Sequence, residues 1–304
     1  MDCGCTLRCA PGTSSGSDCA SQVICLFSGS AFDSFDLEYR DMTYPLIDPV
    51  ALDLGFIQIH WYGLMYVFGF LAGYGLSLRR INQGRFPLTQ EQMSDFLGWI
   101  AIGVILGGRV GYMLFYQTEQ LVADPLSLFY IWEGGMAFHG GLLGVIGITW
   151  WFARKHQIRP LVLGDALAPL IPIGLGLGRL GNFIGGELWG RVSDVPWAIV
   201  FPAAGPDPRH PSQLYQMALE GFVLFCILWW FSSTDRKPGQ VTGLFLIGYG
   251  VFRFAVEFVR EPDAHLGFIW LNWMTMGQLL TLPMIAIGVW LFIRDKESAR
   301  ARVS

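Results

Sequence analysis

Seven stretches of this 304-residue chain, roughly 56–78, 94–116, 136–153, 161–181, 212–231, 241–260 and 275–293, are apolar runs near the length a bilayer demands. About 20 apolar residues in a helix cross the hydrocarbon core. The third and fourth runs are short, and rich in Gly or interrupted by Pro. Composition points the same way. The chain is 53% hydrophobic and only 14% charged, where a soluble domain carries roughly a quarter charged residues. The missing charge is replaced by aliphatics, 38 Gly, 12 Trp and 23 Phe, types enriched within or at the rim of membranes. The net charge of −4 argues against a nucleic-acid partner. The expected fold class is an all-α integral membrane protein with seven transmembrane helices.

Loop charges orient the helices. Arg79, Arg80 and Arg85 follow the first run, and Arg154, Lys155 and Arg159 the third. Arg236 and Lys237 follow the fifth, and Arg294, Lys296, Arg300 and Arg302 the seventh. The loops after the second and sixth runs hold no Lys or Arg; the loop after the fourth, with Arg191 and Arg209, is the exception. Positive loops stay cytoplasmic. The N-terminus is therefore expected outside (periplasmic) and the C-terminus in the cytoplasm.

Three regions follow. Residues 1–45 form a polar, Ser/Gly-rich extension carrying Cys3, Cys5, Cys9, Cys19 and Cys25, with Cys226 an apolar filler in the fifth run. The extension lacks the basic and apolar parts of a signal peptide. Cys3 and Cys5 could mark a metal or a disulfide, but a disordered extension, or a true start at Met42, explains the composition more simply. Residues 46–293 are the membrane domain, and 294–304 a basic cytoplasmic tail.

The orientation sets the depth of every polar residue in the runs. Tyr62 and His139 fall near the outer ends of the first and third. Arg179 and Asn182 sit at the outer mouth of the fourth, with Glu187 just beyond. Arg109, Arg253 and Glu257 lie in outer halves, and Arg260 at the rim. An arginine at mid-membrane costs about 2.5–3.5 kcal/mol even on the gentler scales. These arginines are therefore expected to face water, carboxylates or an anionic ligand. Tyr249, Arg253 and Glu257 are spaced i, i+4, i+8, and Arg260 follows three later, so they share one helix face. Any one of them alone is as readily a packing ion pair or, for Arg109, a snorkelling side chain. Gathered at one level, they point to a site.

Gly176, Gly178 and Gly181 match the dinucleotide pattern GxGxxG, with Asp194 at a fitting distance. No soluble βαβ unit surrounds them, so close helix contact or approach of a lipid headgroup is the better reading. Arginine forks recognise phosphate, and histidine takes a proton near neutral pH. Asn182 can donate to a headgroup, Glu187 can orient Arg179 or Asn182, and Tyr62 offers a phenol. Residues 46–293 contain no HExxH, paired CxxC, DxxDG-type acidic cluster or GxSxG. These residues support an enzyme or carrier acting on an anionic lipid at the outer face; their spacing alone does not name the reaction.

The motifs "HWYGLMY" (60–66), "GGMAFHGGLLGV" (134–145), "GRLGNFIGGELWGR" (178–191), "RHPSQLYQ" (209–216) and "GLFLIGYGVFRFAVEFVREPD" (243–263) together resemble the prolipoprotein diacylglyceryl transferase family. The resemblance spans about residues 45–293. It implies a multi-pass enzyme of the bacterial inner membrane that moves the diacylglyceryl group of phosphatidylglycerol to the lipobox cysteine of a prolipoprotein. The products are a thioether and glycerol phosphate, and no cofactor is needed. It implies that His139 is the candidate base, Arg179 the headgroup ligand and Arg253 the group stabilising the departing phosphate. Tyr62, Asn182, Glu187, Gly190 and Glu257 match further functional positions. Tyr249 and Arg260, on the Arg253 face, join the lipid-binding set. Residues 192–209 form a short segment beside other members, and Gly185 stands where some members have Asn. The competing expectation is a transporter of lipid or a small anionic solute, although no internal repeat is visible.

Overall fold

The computed structural model describes residues 42–55, 58–130, 134–262, 269 and 274–294. Residues 1–41 of the expected extension lie outside these. Met42–Tyr44, placed in that extension by composition, belong instead to the folded body. Strand β1 (Met42–Thr43) pairs in parallel with β4 (Ile199–Val200), which pairs antiparallel with β5 (Pro208–Arg209). Tyr44 is buried, donates its hydroxyl to the Ile184 carbonyl at 2.6 Å and stacks on Phe201. A second small sheet pairs β2 (Val50–Asp53) with β3 (Gln58–His60).

Helices occupy all seven apolar ranges. They are α1 (Trp61–Asn82), α2 (Gln90–Phe115), α4 (Phe138–Lys155), the pair α5 (Pro160–Leu167) and α6 (Ile171–Ile184), the continuous run α7 (Ser212–Gln216) to α8 (Leu224–Phe231), α9 (Gln240–Val256) and α10 (Met276–Ile293). A short α3 (Thr118–Ala123) follows α2. Among the described residues, three helices are long and apolar enough to cross a membrane: Gln90–Phe115, Ser212–Phe231 and Met276–Ile293. The bent pair α5–α6 makes a fourth if counted as one span.

Two boundaries differ from expectation. The first run was expected to begin its helix near residue 56, but Gln58–His60 pair as β3 and α1 starts at Trp61. The sixth was expected to reach residue 260, but α9 ends at Val256. Its continuation turns so that the Val259 carbonyl can accept from Arg191 N at 2.8 Å.

The 48° bend between α5 and α6 falls at "LAPLIP", where Pro169 and Pro172 remove two backbone donors. Asp165 on α5 accepts from Gly239 N at 2.6 Å and from the Thr242 amide and hydroxyl at 2.8 and 2.7 Å. It thereby satisfies open donors at the start of α9. Glycine seams set the helix spacing. Gly107 of α2 sits so close to Gly140 and Gly144 of α4 that a Cβ there would strike the Gly140 carbonyl oxygen. Bulky apolar side chains such as Leu143, Phe222, Trp230 and Ile293 point outward, as in a protein solvated by lipid.

Candidate active site

The stretch 178–191 begins on the last turns of α6. Arg179 and Asn182 project from one face, three residues apart. The helix ends at Ile184, and Gly186 (φ +63°) and Leu188 (φ +57°) turn the chain back on itself. Left-handed backbone at a leucine is uncommon. The turn brings Glu187 under Asn182. Asn182 Nδ2 donates to Glu187 Oε1 at 2.9 Å, and Arg179 Nη1 donates weakly to Asn182 Oδ1 at 3.4 Å. A relay Arg179–Asn182–Glu187 results.

The segment "RHPSQLYQ" clamps that turn from behind. Gln213, fully buried, donates Nε2 to the Glu187 carbonyl at 2.6 Å, and Ser212 donates its hydroxyl to the Leu188 carbonyl at 3.0 Å. His210 contacts the Tyr215 hydroxyl at 3.1 Å. Burial pushes the His210 imidazole below its ordinary range, and Asp194 offsets part of that.

The Tyr249 stripe closes the opposite wall. Arg253 Nη1 pairs with Glu257 Oε2 at 2.9 Å, off hydrogen-bond alignment, and Arg260 Nη1 lies 3.5 Å from Glu257 Oε1. Thr275, which caps α10, donates its hydroxyl to Glu257 Oε1 at 2.9 Å. The carboxylate thus sits at a helix N-terminus, where negative charge is favoured. The Tyr249 phenol reaches the Arg179 guanidinium from α9.

Both walls meet at Glu220, which sequence reasoning missed. It lies on a π-helical stretch, Met217–Val223, within the α7–α8 run; such stretches recur at functional sites. Its side chain is fully buried, 4.0 Å from Arg179 Nε. Arg179, Arg253 and Arg260 all act on its carboxylate, yet neither oxygen has a hydrogen-bond partner among the described residues. A single Glu inside "QMALEGFVLF" was the available signal, because an intramembrane carboxylate is functional by default.

Four further expected residues are placed as follows. Tyr62, in the first turn of α1, packs where a Cβ on Gly181 would meet its ring at 3.1 Å, and its hydroxyl bonds Tyr66 at 2.9 Å. It remains 43% exposed, within electrostatic range of Arg179 and Glu187. Gly190 acts through its backbone: its N–H donates to the His210 carbonyl at 2.9 Å, and it bridges to Arg260. A Cβ there would lie 2.6 Å from both the His210 and Val259 oxygens. His139 stands apart. It is exposed at the start of α4, its ring edge-on to Phe138, with no hydrogen bond to the cluster among the described residues. Arg109, expected to face water, carboxylates or an anionic ligand, is buried and holds the Ser127 carbonyl at 2.7 Å and the Gly134 carbonyl, strapping the loop that leads into α4.

The glycines of the GxGxxG match divide between neighbours. Gly176 abuts Gly221 of the π-helical stretch, and Gly181 abuts Tyr62. They are helix contacts, not a phosphate loop.

A family model for prolipoprotein diacylglyceryl transferase matches residues 49–294, the whole body that carries these motifs. The chain belongs to the prolipoprotein diacylglyceryl transferase family. The phosphatidylglycerol–prolipoprotein diacylglyceryl transferase of Pseudomonas paraeruginosa (strain DSM 24068 / PA7) is 54% identical over 264 residues, covering 86% of this chain and 99% of its own length. The enzyme of the same name from Chromohalobacter salexigens is 55% identical over 267 residues, covering 86% of this chain and 99% of its own. That of Coxiella burnetii (strain RSA 331 / Henzerling II) is 53% identical over 257 residues, covering 84% and 98%. Prolipoprotein diacylglyceryl transferase membership adds a reaction class to this cluster of arginines and carboxylates.

Proposed function

We propose that this chain transfers the diacylglyceryl group of phosphatidylglycerol to the lipobox cysteine of a prolipoprotein, in the bacterial inner membrane. The seven helical segments all span, with the N-terminus periplasmic and the C-terminus cytoplasmic, so the Arg179–Glu220–Arg253 cluster opens toward the outer leaflet. The loop charges and the order of the helices support this topology.

The reaction is a displacement at carbon. The cysteine thiol gives its proton to His139, whose exposed ring is open to an incoming peptide. The thiolate attacks the glycerol carbon bearing the phosphate ester. The C–S bond forms, the C–O bond breaks, and glycerol phosphate leaves with the bonding pair. Negative charge grows on the departing phosphate, and Arg179 and Arg253 are the groups that neutralise it. Donors aimed at developing charge in a dry site are usually the largest catalytic contribution. Asn182 and Glu187 orient Arg179, Glu257 orients Arg253, and Tyr249 and Arg260 complete the headgroup cradle. Tyr62 positions the lipid at the mouth between α1 and α6. Gly190 holds the two walls in register.

One observation carries this reading: arginines from separate helices, Arg179 and Arg253, act on one buried carboxylate, Glu220. The test supplies headgroup-labelled phosphatidylglycerol with and without a lipobox peptide. Release of labelled glycerol phosphate only with the cysteine peptide is expected. Movement of intact labelled lipid, without release, would replace the transferase by a transporter.

A further inference from the structure

At the far end of α1 from Tyr62 lies a second cationic centre that the transfer reaction does not use. Tyr62 and Arg80 are 18 positions apart on one helix, about 27 Å at 1.5 Å per residue. A cavity of about 180 Å³ opens there, lined by Arg79, Arg80, Gln83, Arg85, Trp229 and Ser233. That is more than ten times the roughly 10–15 Å³ that admits one water.

The cavity is built, not incidental. Arg80 is only 6% exposed. Its guanidinium lies 4.1 Å from the centre of the Trp229 ring, and Nη2 donates to the Ser232 hydroxyl at 2.6 Å. Ser232 is fixed in turn by donating to the Leu228 carbonyl at 2.6 Å. Gly84, at φ +69°, reverses the chain so that Arg85 N bonds the Arg80 carbonyl at 2.9 Å. Arg85 is thereby folded back beside Arg80, and it is the charged group that acts on Arg80, with like sign. Among the described residues no carboxylate pairs with Arg79, Arg80 or Arg85.

Cations are favoured at a helix C-terminus and in cytoplasmic loops. Those preferences account for the exposed Arg79 and Arg85. They do not account for a buried guanidinium faced by a second cation, because buried charges are ordinarily paired. The missing partner is an anion. We propose that this cavity binds a phosphate-bearing anion, a lipid headgroup or a soluble phosphate, held by Arg79, Arg80 and Arg85. Two or three guanidiniums supply forked donors to such a group, and the Trp229 indole floors the site.

The test uses the purified full chain in detergent, read by native mass spectrometry. Phosphatidic acid, phosphatidylcholine and inorganic phosphate are the added probes. Phosphatidic acid is expected to bind and phosphatidylcholine not. In the double variant Arg79→Gln/Arg85→Gln, whose altered side chains are exposed, the dissociation constant should rise at least about tenfold. Arg179→Gln, at the other site, should leave this adduct in place. Competition by inorganic phosphate would identify the headgroup alone as the ligand; its failure to compete would show that acyl chains are required. Transferase activity of the double variant should persist, which separates failure of this site from failure of the proposed transfer reaction. Equal binding by wild type and the double variant, or equal binding of both lipids, would overturn the proposal.

Discussion

Arg179 Nε lies 4.0 Å from the carboxylate of Glu220, and that carboxylate is also within the field of Arg253 and Arg260. One acid on a π-helical stretch therefore couples Arg179 of α6 to Arg253 on the last turn of α9 and to Arg260 just beyond it. Glu220 holds them near one another although each repels the others.

Glu220→Gln keeps the shape and removes the charge. Without it the Arg179 fork loses its fixed direction, and small misplacements of a reacting arrangement cost about 10²-fold. Turnover of labelled phosphatidylglycerol should fall by about 10–100-fold, while insertion in the membrane is unchanged. Wild-type turnover in a folded Glu220→Gln protein would remove Glu220 from the site.

Arg253→Ala should abolish lipidation of a reporter prolipoprotein, with loss of about 10²–10³ in kcat, the usual effect of deleting a donor to developing charge. Arg253→Lys should recover little, since an ammonium lacks the planar fork. His139→Ala should also abolish lipidation with the protein still inserted. Activity retained in His139→Ala at neutral pH would assign the thiol proton elsewhere.

The sequence made the helices legible because hydrophobic runs are local. It made the Tyr249–Arg253–Glu257–Arg260 stripe legible because helical spacing is local too. It could not show that Met42–Tyr44 join the body, since the partner strand at Ile199–Val200 lies more than 150 positions away. Arg109 misled for a related reason. Its charge was expected to need water, a carboxylate or an anionic ligand, but it is held by the Ser127 and Gly134 carbonyls of a loop, which no periodicity reveals. Glu220 was overlooked as one acid in an apolar run.

Stability should depend on pH through His210. Burial lowers its affinity for a proton in the native state, so the unfolded chain binds more protons as pH falls past about 6.5. This contribution is present above that pH and is lost as pH falls through the lower native value. The midpoint of thermal unfolding in detergent should therefore drop between about pH 7 and pH 5. His210→Gln should start lower, having lost the Tyr215 contact, and show a flatter pH slope. An unchanged slope would place the titrating group elsewhere.

Gly190 tests whether the two walls must stay in register. A methyl group there would sit 2.6 Å from the carbonyl oxygens of both His210 and Val259, so the backbone must move. Neither oxygen can rotate away, because each already accepts a backbone hydrogen bond, from Gly190 and Arg191 at 2.9 and 2.8 Å. Overpacking of this kind costs about 1–3 kcal/mol. The displacement separates Asn182 and Glu187 from Arg253 and Glu257 without touching any of them. Gly190→Ala should consequently lower the thermal midpoint and remove most transferase activity, whereas Gly178→Ala, whose Cβ meets nothing within 4 Å, should leave both near wild type. If the two variants behaved alike, steric register at Gly190 would not be what the site requires.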